Sequence, residues 1–276
     1  MNIAVVLSTY NSPVSLRKSL LGYVAQDESD FEILVADDGS DGCTEQVLNE
    51  DCFSSLNLKH VWHSDDGYRL SAIRNLAITQ TDANYLIFSD GDVIPRRDFV
   101  GNHRRAARPS TYTAGSRIDI PEAVHKQFTD SQILENQIFD SSYLKQMNVS
   151  VPFLRRWSLN SGPIVTSIMN ILQWRYCVFY GSNTGAWRED LLKVNGFDEN
   201  FPGYGSEDRD IGFRLKNQGV KFRYLKHSVV QYHLAHPRPY FAAEISALNR
   251  SVMRSRMRSS TTWIATGIHK LQADVL

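Results

Sequence analysis

Cysteine, long apolar runs and an excess of charge of either sign are what this 276-residue sequence lacks. Its three cysteines, Cys43, Cys52 and Cys177, have neither the even number nor the spacing of a disulfide framework or a zinc ribbon. Basic and acidic residues number 30 each, which argues against a strongly basic nucleic-acid-binding protein. No apolar run approaches the roughly 18–20 residues that cross a bilayer. A composition of 42% hydrophobic and 22% charged residues is typical of a globular protein.

The first residues are apolar, but they carry no basic stretch and run directly into Thr9, Tyr10 and Asn11. We therefore interpret them as a buried strand rather than a signal peptide. Together with the unpaired cysteines, this predicts a reducing, cytoplasmic setting, either free or peripheral at the inner face of the cytoplasmic membrane.

Short apolar runs alternate with amphipathic patterns through residues 1–120. Such a rhythm predicts right-handed βαβ units, an α/β fold with a mostly parallel central sheet flanked by helices. In such sheets ligands bind beyond the carboxyl ends of the strands. The predicted strands are Ile3–Ser8, Phe31–Ala36, Leu58–Trp62 and Tyr85–Phe88, and the predicted helices are Pro13–Gln26, one after Thr44, and Leu70–Thr79.

The rhythm changes in the second half of the chain. Residues 121–175 have no βα alternation, which predicts a helical insertion or a mobile active-site segment. Regular structure is expected again over 176–239, the second half of a single domain that spans 1–239. There we predict a strand at Tyr176–Tyr180, a loop over 181–185, helices at Arg188–Val194 and Glu207–Gln218, and strands at Phe222–Leu225 and Val229–His233.

Residues 240–276 form a basic tail with helical periodicity. Arg250, Arg254 and Arg258 recur at intervals of four residues, and apolar side chains such as Met253 and Trp263 are interspersed. A basic amphipathic helix can lie on an anionic membrane, here through residues 245–270. The same pattern also suits a solvated face on a helix that packs against the domain.

Polar residues follow each predicted strand of the first half. Asp90-Gly91-Asp92 comes directly after the apolar run ending at Phe88, and two carboxylates so placed can share a divalent cation that neutralises a diphosphate. Asp37 or Asp38 can accept a hydrogen bond from uracil N3–H. Arg69 and Arg74, at the predicted start of a helix, suit phosphate oxygens. Strand-ending turns, turn caps and solvated arginines explain the same residues without a ligand.

A second acidic group lies about 115 residues later. Glu207 and Asp208 follow a glycine-rich turn at a predicted helix start, where one carboxylate can act as a general base. Acidic residues also complement the dipole of a first helical turn. His233 ends a predicted strand and can complete a carboxylate and imidazole site suited to manganese, although His236 lies near enough to compete.

These groups together resemble the family 2 glycosyltransferases of the GT-A fold, with a C-terminal segment similar to galactosyltransferases. The resemblance covers roughly residues 3–120 and 179–236. It is carried by Ser8–Asn11, Ala36–Ser40, Asp66–Asn75, Asp90–Asp92, Gly181–Asn183 and Gly205–Asp208.

The resemblance implies transfer of a sugar from a UDP-sugar or another nucleotide diphosphate donor to a hydroxyl of a glycan or lipid-linked saccharide, with Mn²⁺ or Mg²⁺ as cofactor. Asp92 and His233 would bind the metal, and Asp208 would be the base that drives an inverting displacement. Glu207 would bind the donor sugar or the acceptor. The nucleotide would contact Thr9, Tyr10, Asn11, Asp38, Asp66, Gly67, Tyr68, Arg69, Arg74, Asp90, Gly91 and Asn183.

Two aromatic residues are candidates for contact with the acceptor. Tyr204 stands where such relatives usually have a tryptophan, and it or Trp187 could stack on a sugar ring, while both could equally belong to the core. We expect a role in bacterial surface polysaccharide or lipopolysaccharide synthesis. A nucleotidyltransferase is disfavoured because no glycine-rich basic loop follows the first strand, and a non-catalytic binding module because binding alone needs no base. Nucleic acid is not an expected partner.

Overall fold

The computed structural model describes residues 1–172, 178–237 and 242–270, in which strands and helices alternate. The strands are β1 (Ile3–Thr9), β2 (Glu32–Asp37), β3 (Asn57–Trp62), β4 (Tyr85–Asp90), β5 (Val93–Pro95), β6 (Thr111–Ala114), β7 (Ser116–Ile120), β8 (Asn183–Trp187), β9 (Lys221–Tyr224) and β10 (Val230–Leu234). The α-helices are α1 (Pro13–Val24), α2 (Gly42–Leu48), α3 (Leu70–Thr79), α4 (Phe99–Ala106), α5 (Glu122–His125), α6 (Asp130–Leu134), α7 (Ser141–Gln146), α8 (Phe153–Leu159), α9 (Pro163–Ile171), α10 (Arg188–Lys193), α11 (Glu207–Asn217) and α12 (Ala243–Met257). Short 3₁₀ turns lie at Asp51–Phe53 and Gln137–Phe139.

The main sheet has seven strands in the order β3-β2-β1-β4-β8-β6-β9. Strands β3, β2, β1 and β4 are parallel, whereas β8 runs antiparallel to both β4 and β6. A smaller sheet pairs β10 with β5 and β7. The predicted α/β architecture, with a mostly parallel sheet flanked by helices, is confirmed.

Every residue of β1 is buried, because both faces of the sheet are covered by helices. Ile3, Val5 and Leu7 point into one core, which contains α1, while Ala4 and Val6 point into the other, which contains α3. The alternation of side chains along a strand thus divides the apolar residues between two layers. Because β3, β2, β1 and β4 are parallel, their carboxyl ends lie at the same edge of the sheet.

The predicted element bounds agree closely with the structure in the first half and less well in the second. Helix α3 has the predicted bounds, and the segment 121–172 is helical as expected. The predicted loop over 181–185 is wrong, because β8 starts at Asn183 and pairs with both β4 and β6. Of the predicted strand Tyr176–Tyr180, residues 176–177 lie outside the described residues, and 178–180 form no regular structure.

The tail helix α12 packs against the domain through one of its faces. Asn249 and Met253 are buried, and Met253 contacts Phe201 and Phe213. Arg256 lies 2.7 Å from Asp198 and 2.8 Å from Asp210, in ion pairs that are largely enclosed. Arg250, Arg254 and Arg258 remain exposed. Residues 240–241 and 271–276 of the predicted tail lie outside the described residues. No described helix is both long and apolar enough to cross a membrane.

Candidate active site

The polar strand ends of the first half meet at one edge of the sheet, as the topology requires. Ser8 is in register with Asp90, and Thr9 with Asp37, so the residues that follow β1, β2 and β4 lie side by side. The N–H of Asp38 donates to the carbonyl of Thr9 (3.0 Å). A Cβ on Gly91 would lie 3.1 Å from Thr9, so the middle residue of Asp90-Gly91-Asp92 has little room for a side chain.

Asp38 is buried and held from two sides. Nε2 of His63 lies 2.7 Å from its Oδ1, and the backbone N–H of Arg69 donates to its Oδ2 (2.9 Å). These contacts join the end of β2 to the residues that start α3. Each carboxylate oxygen keeps a lone pair for a further donor. The hydroxyl of Thr9 is buried with no hydrogen-bond partner among the described residues, so an acceptor and a hydroxyl are both available here.

The other predicted nucleotide contacts border the same edge. The hydroxyl of Tyr10 donates to Asp65 (3.0 Å), and the N–H of Asn11 donates to the Ser40 hydroxyl (2.8 Å). Asn11 adopts a left-handed conformation with φ of 43°. The turn Asp66-Gly67-Tyr68-Arg69 is more open, with the Asp66 side chain 80% exposed. The structure therefore brings the residues that follow β1 close to the segment that precedes α3.

Arg74 links the two acidic groups that the sequence separates by more than a hundred residues. Its guanidinium is fully buried and donates to Asp90 (3.1 Å), Asp208 (2.9 Å) and the hydroxyl of Ser8 (3.0 Å). Burial disfavours the guanidinium charge, but the two carboxylates outweigh that effect and raise the pKa of Arg74. A Cβ on Gly181 would overlap this guanidinium, which explains why glycine stands there.

Glu207 and Asp208 begin α11 after a strained turn. Gly203, Gly205 and Ser206 all have positive φ, which is costly for serine. Asp208 accepts from the N–H of Gly181 (2.8 Å) in addition to Arg74. Glu207 is only 4% exposed, and its Oε2 has no hydrogen-bond partner in the described part of the chain. Burial, reinforced by the charge of Asp208, raises the pKa of Glu207 to about 7.

Asp92 stands beside two histidines. Its Oδ2 lies 2.8 Å from Nε2 of His236 and 3.5 Å from Nε2 of His233, and one potential ligand atom from each residue falls within 4.8 Å of the others. A second carboxylate, Asp119, lies 2.8 Å from Nδ1 of His233. Metal-bound histidines commonly have such a partner on the other ring nitrogen. His236 is a site residue that the sequence analysis left unassigned.

These residues fit a divalent metal ion. Oδ1 of Asp92 is buried and has no hydrogen-bond partner among residues whose placement is described. One carboxylate and two imidazoles form a donor set suited to manganese or a similar ion. Burial opposes the charge of Asp92, but its hydrogen bonds with His233 and His236 prevail and hold its pKa well below the ordinary value.

A cleft of about 560 Å³ lies beside the second acidic group. It is lined by Tyr180, Tyr204, Glu207 and Asp208 on the domain side and by Met257 from α12. The ring of Tyr204 stands edge-on to that of Tyr68 at 6.2 Å between centroids. Tyr204 therefore lies in the same cleft as Asp208 and contacts Tyr68 of the turn before α3.

The structure directs the side chains of Trp187 and Asn183 away from the acidic groups. Trp187 pairs with Tyr85 at the start of β4, whereas Asp90 ends that strand. Its ring packs on Tyr85 and its N–H donates to the carbonyl of Arg108, so of its two interpretations the structure shows packing within the fold. Asn183 pairs with Ser89, next to Asp90, but its buried amide donates to the carbonyl of Ser116 and ties the two sheets together.

Solved structures share this fold. S. aureus TarS 1–349 in complex with UDP-GlcNAc matches with a TM-score of 0.61 at 17% identity, over 93% of this chain and 65% of that one. The mannosyltransferase PcManGT from Pyrobaculum calidifontis, solved with GDP-Man and Mn²⁺, matches with a TM-score of 0.58 at 17% identity, over 86% and 58% of the respective chains. Both have the GT-A fold, and so does this chain.

Sequence comparison identifies the family. Chondroitin synthase of Escherichia coli is 29% identical over 247 residues, which cover 85% of this chain but only 35% of the synthase. The model described as the N-terminal domain of galactosyltransferase matches residues 169–237, which include the acidic pair and His236. The model of glycosyl transferase family 2 matches residues 4–191, more than half of the chain. The chain therefore belongs to glycosyl transferase family 2, with a galactosyltransferase-like segment over residues 169–237, and is a glycosyltransferase.

Proposed function

We propose that this glycosyltransferase moves a sugar from UDP to an acceptor hydroxyl with inversion at the anomeric carbon. The observation that carries the proposal is the bridge formed by Arg74 between Asp90 and Asp208. The guanidinium of Arg74 contacts both Asp90, on the proposed nucleotide side, and Asp208, the proposed base. A donor bound at the first carboxylate and an acceptor at the second would thus meet at Arg74.

The proposed nucleotide site is formed by the ends of β1, β2 and β4. Asp38 and Thr9 would contact the base and ribose, since Asp38 keeps free lone pairs and the Thr9 hydroxyl is buried without a partner among the described residues. Tyr10, Asn11, the Asp66–Arg69 turn, Asp90 and Gly91 border the same space. Asp92, His233 and His236 would hold Mn²⁺ or Mg²⁺, which when bound would neutralise charge on the diphosphate.

Asp208 is the proposed general base. Its side chain is 28% exposed and lines the cleft, and its ion pair with Arg74 (2.9 Å) holds the carboxylate in place. The acceptor oxygen would bond to the anomeric carbon as the bond from that carbon to the phosphate oxygen breaks, and the acceptor proton would pass to Asp208. In-line attack converts an α-linked donor to a β-linked product. Glu207, whose pKa lies near 7, would hold a sugar hydroxyl.

The acceptor is proposed as a class of molecule. One relative is named a chondroitin synthase, and this chain spans about a third of its length. A glycan or lipid-linked saccharide in bacterial surface polysaccharide or lipopolysaccharide synthesis is the acceptor class we propose, with Tyr204 stacking on its sugar.

Donor hydrolysis and transfer across UDP-, GDP- and dTDP-sugars, with Mn²⁺ or with a chelator, tests this function. We expect turnover of a UDP-sugar that depends on the metal, with the β-anomer released from an α-linked donor. Asp208→Asn should abolish turnover and leave UDP binding unchanged. Normal turnover in that variant, or release of the α-anomer, would refute the assignment of base and stereochemistry.

A further inference from the structure

An exposed apolar surface lies on the helical insertion. Eight of the 17 exposed large hydrophobic side chains of the described residues fall between positions 153 and 172, although this stretch is a small part of the chain. We call this group the apolar patch: Phe153, Leu154 and Trp157 on α8, and Ile164, Val165, Ile168, Ile171 and Leu172 on or directly after α9.

Helix α9 is oriented with its apolar side outward. Its buried residues include the polar side chains of Thr166 and Asn170, whereas Ile164 and Ile171 are each more than 75% exposed. Asn170 fixes this orientation, because its amide donates to the Ser228 hydroxyl (2.6 Å) and its oxygen accepts from the N–H of His227 (2.8 Å). A surface helix ordinarily buries its apolar face, so the apolar patch calls for a covering partner.

The charge around the apolar patch indicates what that partner is. No aspartate or glutamate occurs from residue 141 through residue 188, while the same stretch contains Lys145, Arg155, Arg156, Arg175 and Arg188. Lys145 and Arg156 are exposed on the flanking helices. A surface that is apolar, contains tryptophan and is accompanied by the exposed cations Lys145 on α7 and Arg156 on α8 matches the boundary between lipid headgroups and acyl chains of an anionic membrane.

We infer that the apolar patch docks on the surface of an anionic lipid bilayer, with the isoleucines of α9 inserted at the headgroup level. Nine residues of helix make the contact peripheral, since about 20 are needed to cross the bilayer. The inference does not depend on the proposed function.

Cosedimentation of the full chain with vesicles tests this inference. We expect binding to phosphatidylcholine vesicles that contain phosphatidylglycerol, and much weaker binding to phosphatidylcholine alone or at high salt. Ile164→Ser, Ile168→Ser and Ile171→Ser together should weaken binding at least about tenfold. The matched control is Leu248→Ser with Val252→Ser, two exposed apolar residues of α12, which should bind as the wild type does.

Two results would overturn the inference. One is wild-type binding by the α9 variant, and the other is absence of vesicle binding by the wild-type chain. A wild-type dimer in light scattering that the α9 substitutions dissociate, without vesicle binding, would show a protein interface instead. A circular dichroism spectrum shows whether the triple variant is folded. The single variant Ile171→Ser tests the same surface with a smaller change. Donor hydrolysis without lipid is measured in parallel, so that failure of the proposed function is distinguished from failure of membrane docking.

Discussion

At the scale of single residues, Arg74 has the most demanding environment in the site. Its guanidinium is buried, and it is surrounded by Asp90, Asp208, Ser8 and the ring of Phe197, 5.5 Å away. Removing one partner of a buried ion pair leaves the other charge uncompensated, which costs more than the pair itself contributes. The arginine is therefore a positioning residue whose loss should affect both stability and catalysis.

Arg74→Met should lower the free energy of unfolding by about 3 kcal/mol, because two partly buried carboxylates lose their counter-charge. Turnover should fall at least about a hundredfold through kcat, since Asp208 would lose its orientation. Arg74→Lys keeps the positive charge but cannot contact two carboxylates with a planar guanidinium. Compared with Arg74→Met, it should therefore restore more of the free energy of unfolding than of kcat. Urea denaturation and steady-state kinetics measure the two effects. Equal recovery of both by lysine would contradict a positioning role.

Glu207 makes a prediction about pH. Its folded-state pKa of about 7 lies above the ordinary 4.5, so the folded protein binds this proton more tightly than the unfolded chain does. Stability from this group is complete below pH 4.5 and is lost as pH rises toward 7. The free energy of unfolding of Glu207→Gln should therefore rise relative to that of the wild type between pH 4.5 and 7, by about 3 kcal/mol at pH 8. Urea denaturation at pH 5 and pH 8 measures this, and a difference that stays constant with pH would contradict it.

At the scale of elements, α12 braces the turn that presents the acidic pair. The amide of Asn249 donates to the carbonyls of Pro202 (3.0 Å) and Gly205 (2.7 Å), on either side of Gly203. Ile245 of the same helix also lies against the turn, since a Cβ on Gly203 would stand 3.2 Å from its side chain. Helix α12, in the segment that the sequence predicts as a basic tail, thus supports this turn and lines the neighbouring cleft through Met257.

Asn249→Ala should lower the free energy of unfolding by about 1 kcal/mol, because two part-buried hydrogen bonds to the turn are lost. It should also reduce kcat, because Glu207 and Asp208 follow directly on the released turn. Arg250→Ala, on the exposed side of the same helix, is the matched control and should change neither quantity. Thermal unfolding and donor hydrolysis measure the outcome. An Asn249→Ala variant with wild-type kcat would show that α12 does not position the pair.

Sequence patterns predict elements well where burial is periodic and local. The bounds of α3 and the positions of the first four strands along the chain follow from apolar spacing alone. Strand β8 was predicted as a loop because Gly181–Gly185 resembles a turn, whereas pairing with two neighbouring strands overrides that preference. The sequence left Trp187 open between the core and an acceptor contact, because only the antiparallel register of β8 shows that it pairs with Tyr85 at the start of β4.

At the scale of the whole molecule, the site is assembled from contacts between distant parts of the chain. The carboxyl edge of the sheet was predictable, because parallel strands place their ends together. The bridge through Arg74, the raised pKa of Glu207 and the pairing of Asp92 with His236 were not, since each depends on how the second half folds back over the first. The spacing of His233 and His236 was visible, but only the structure shows both facing Asp92.

Metal binding distinguishes the roles of these histidines. His233→Ala and His236→Ala should each weaken Mn²⁺ affinity at least about tenfold, because each removes an imidazole from a three-residue donor set. His269→Ala, an exposed histidine of the tail, serves as the control. Isothermal titration with Mn²⁺ and UDP measures the affinity. Unchanged affinity in the His236 variant would restrict the set to Asp92 and His233.

The central claim is that acidic and imidazole groups from both halves of the chain surround one metal-bound nucleotide. A crystal grown with Mn²⁺ and UDP tests it through the anomalous signal of manganese. We expect a single strong peak in contact with Asp92, His233 and His236, with the diphosphate beside it and the uracil at Asp38. A peak away from Asp92, or a diphosphate on another face of the domain, would contradict the account.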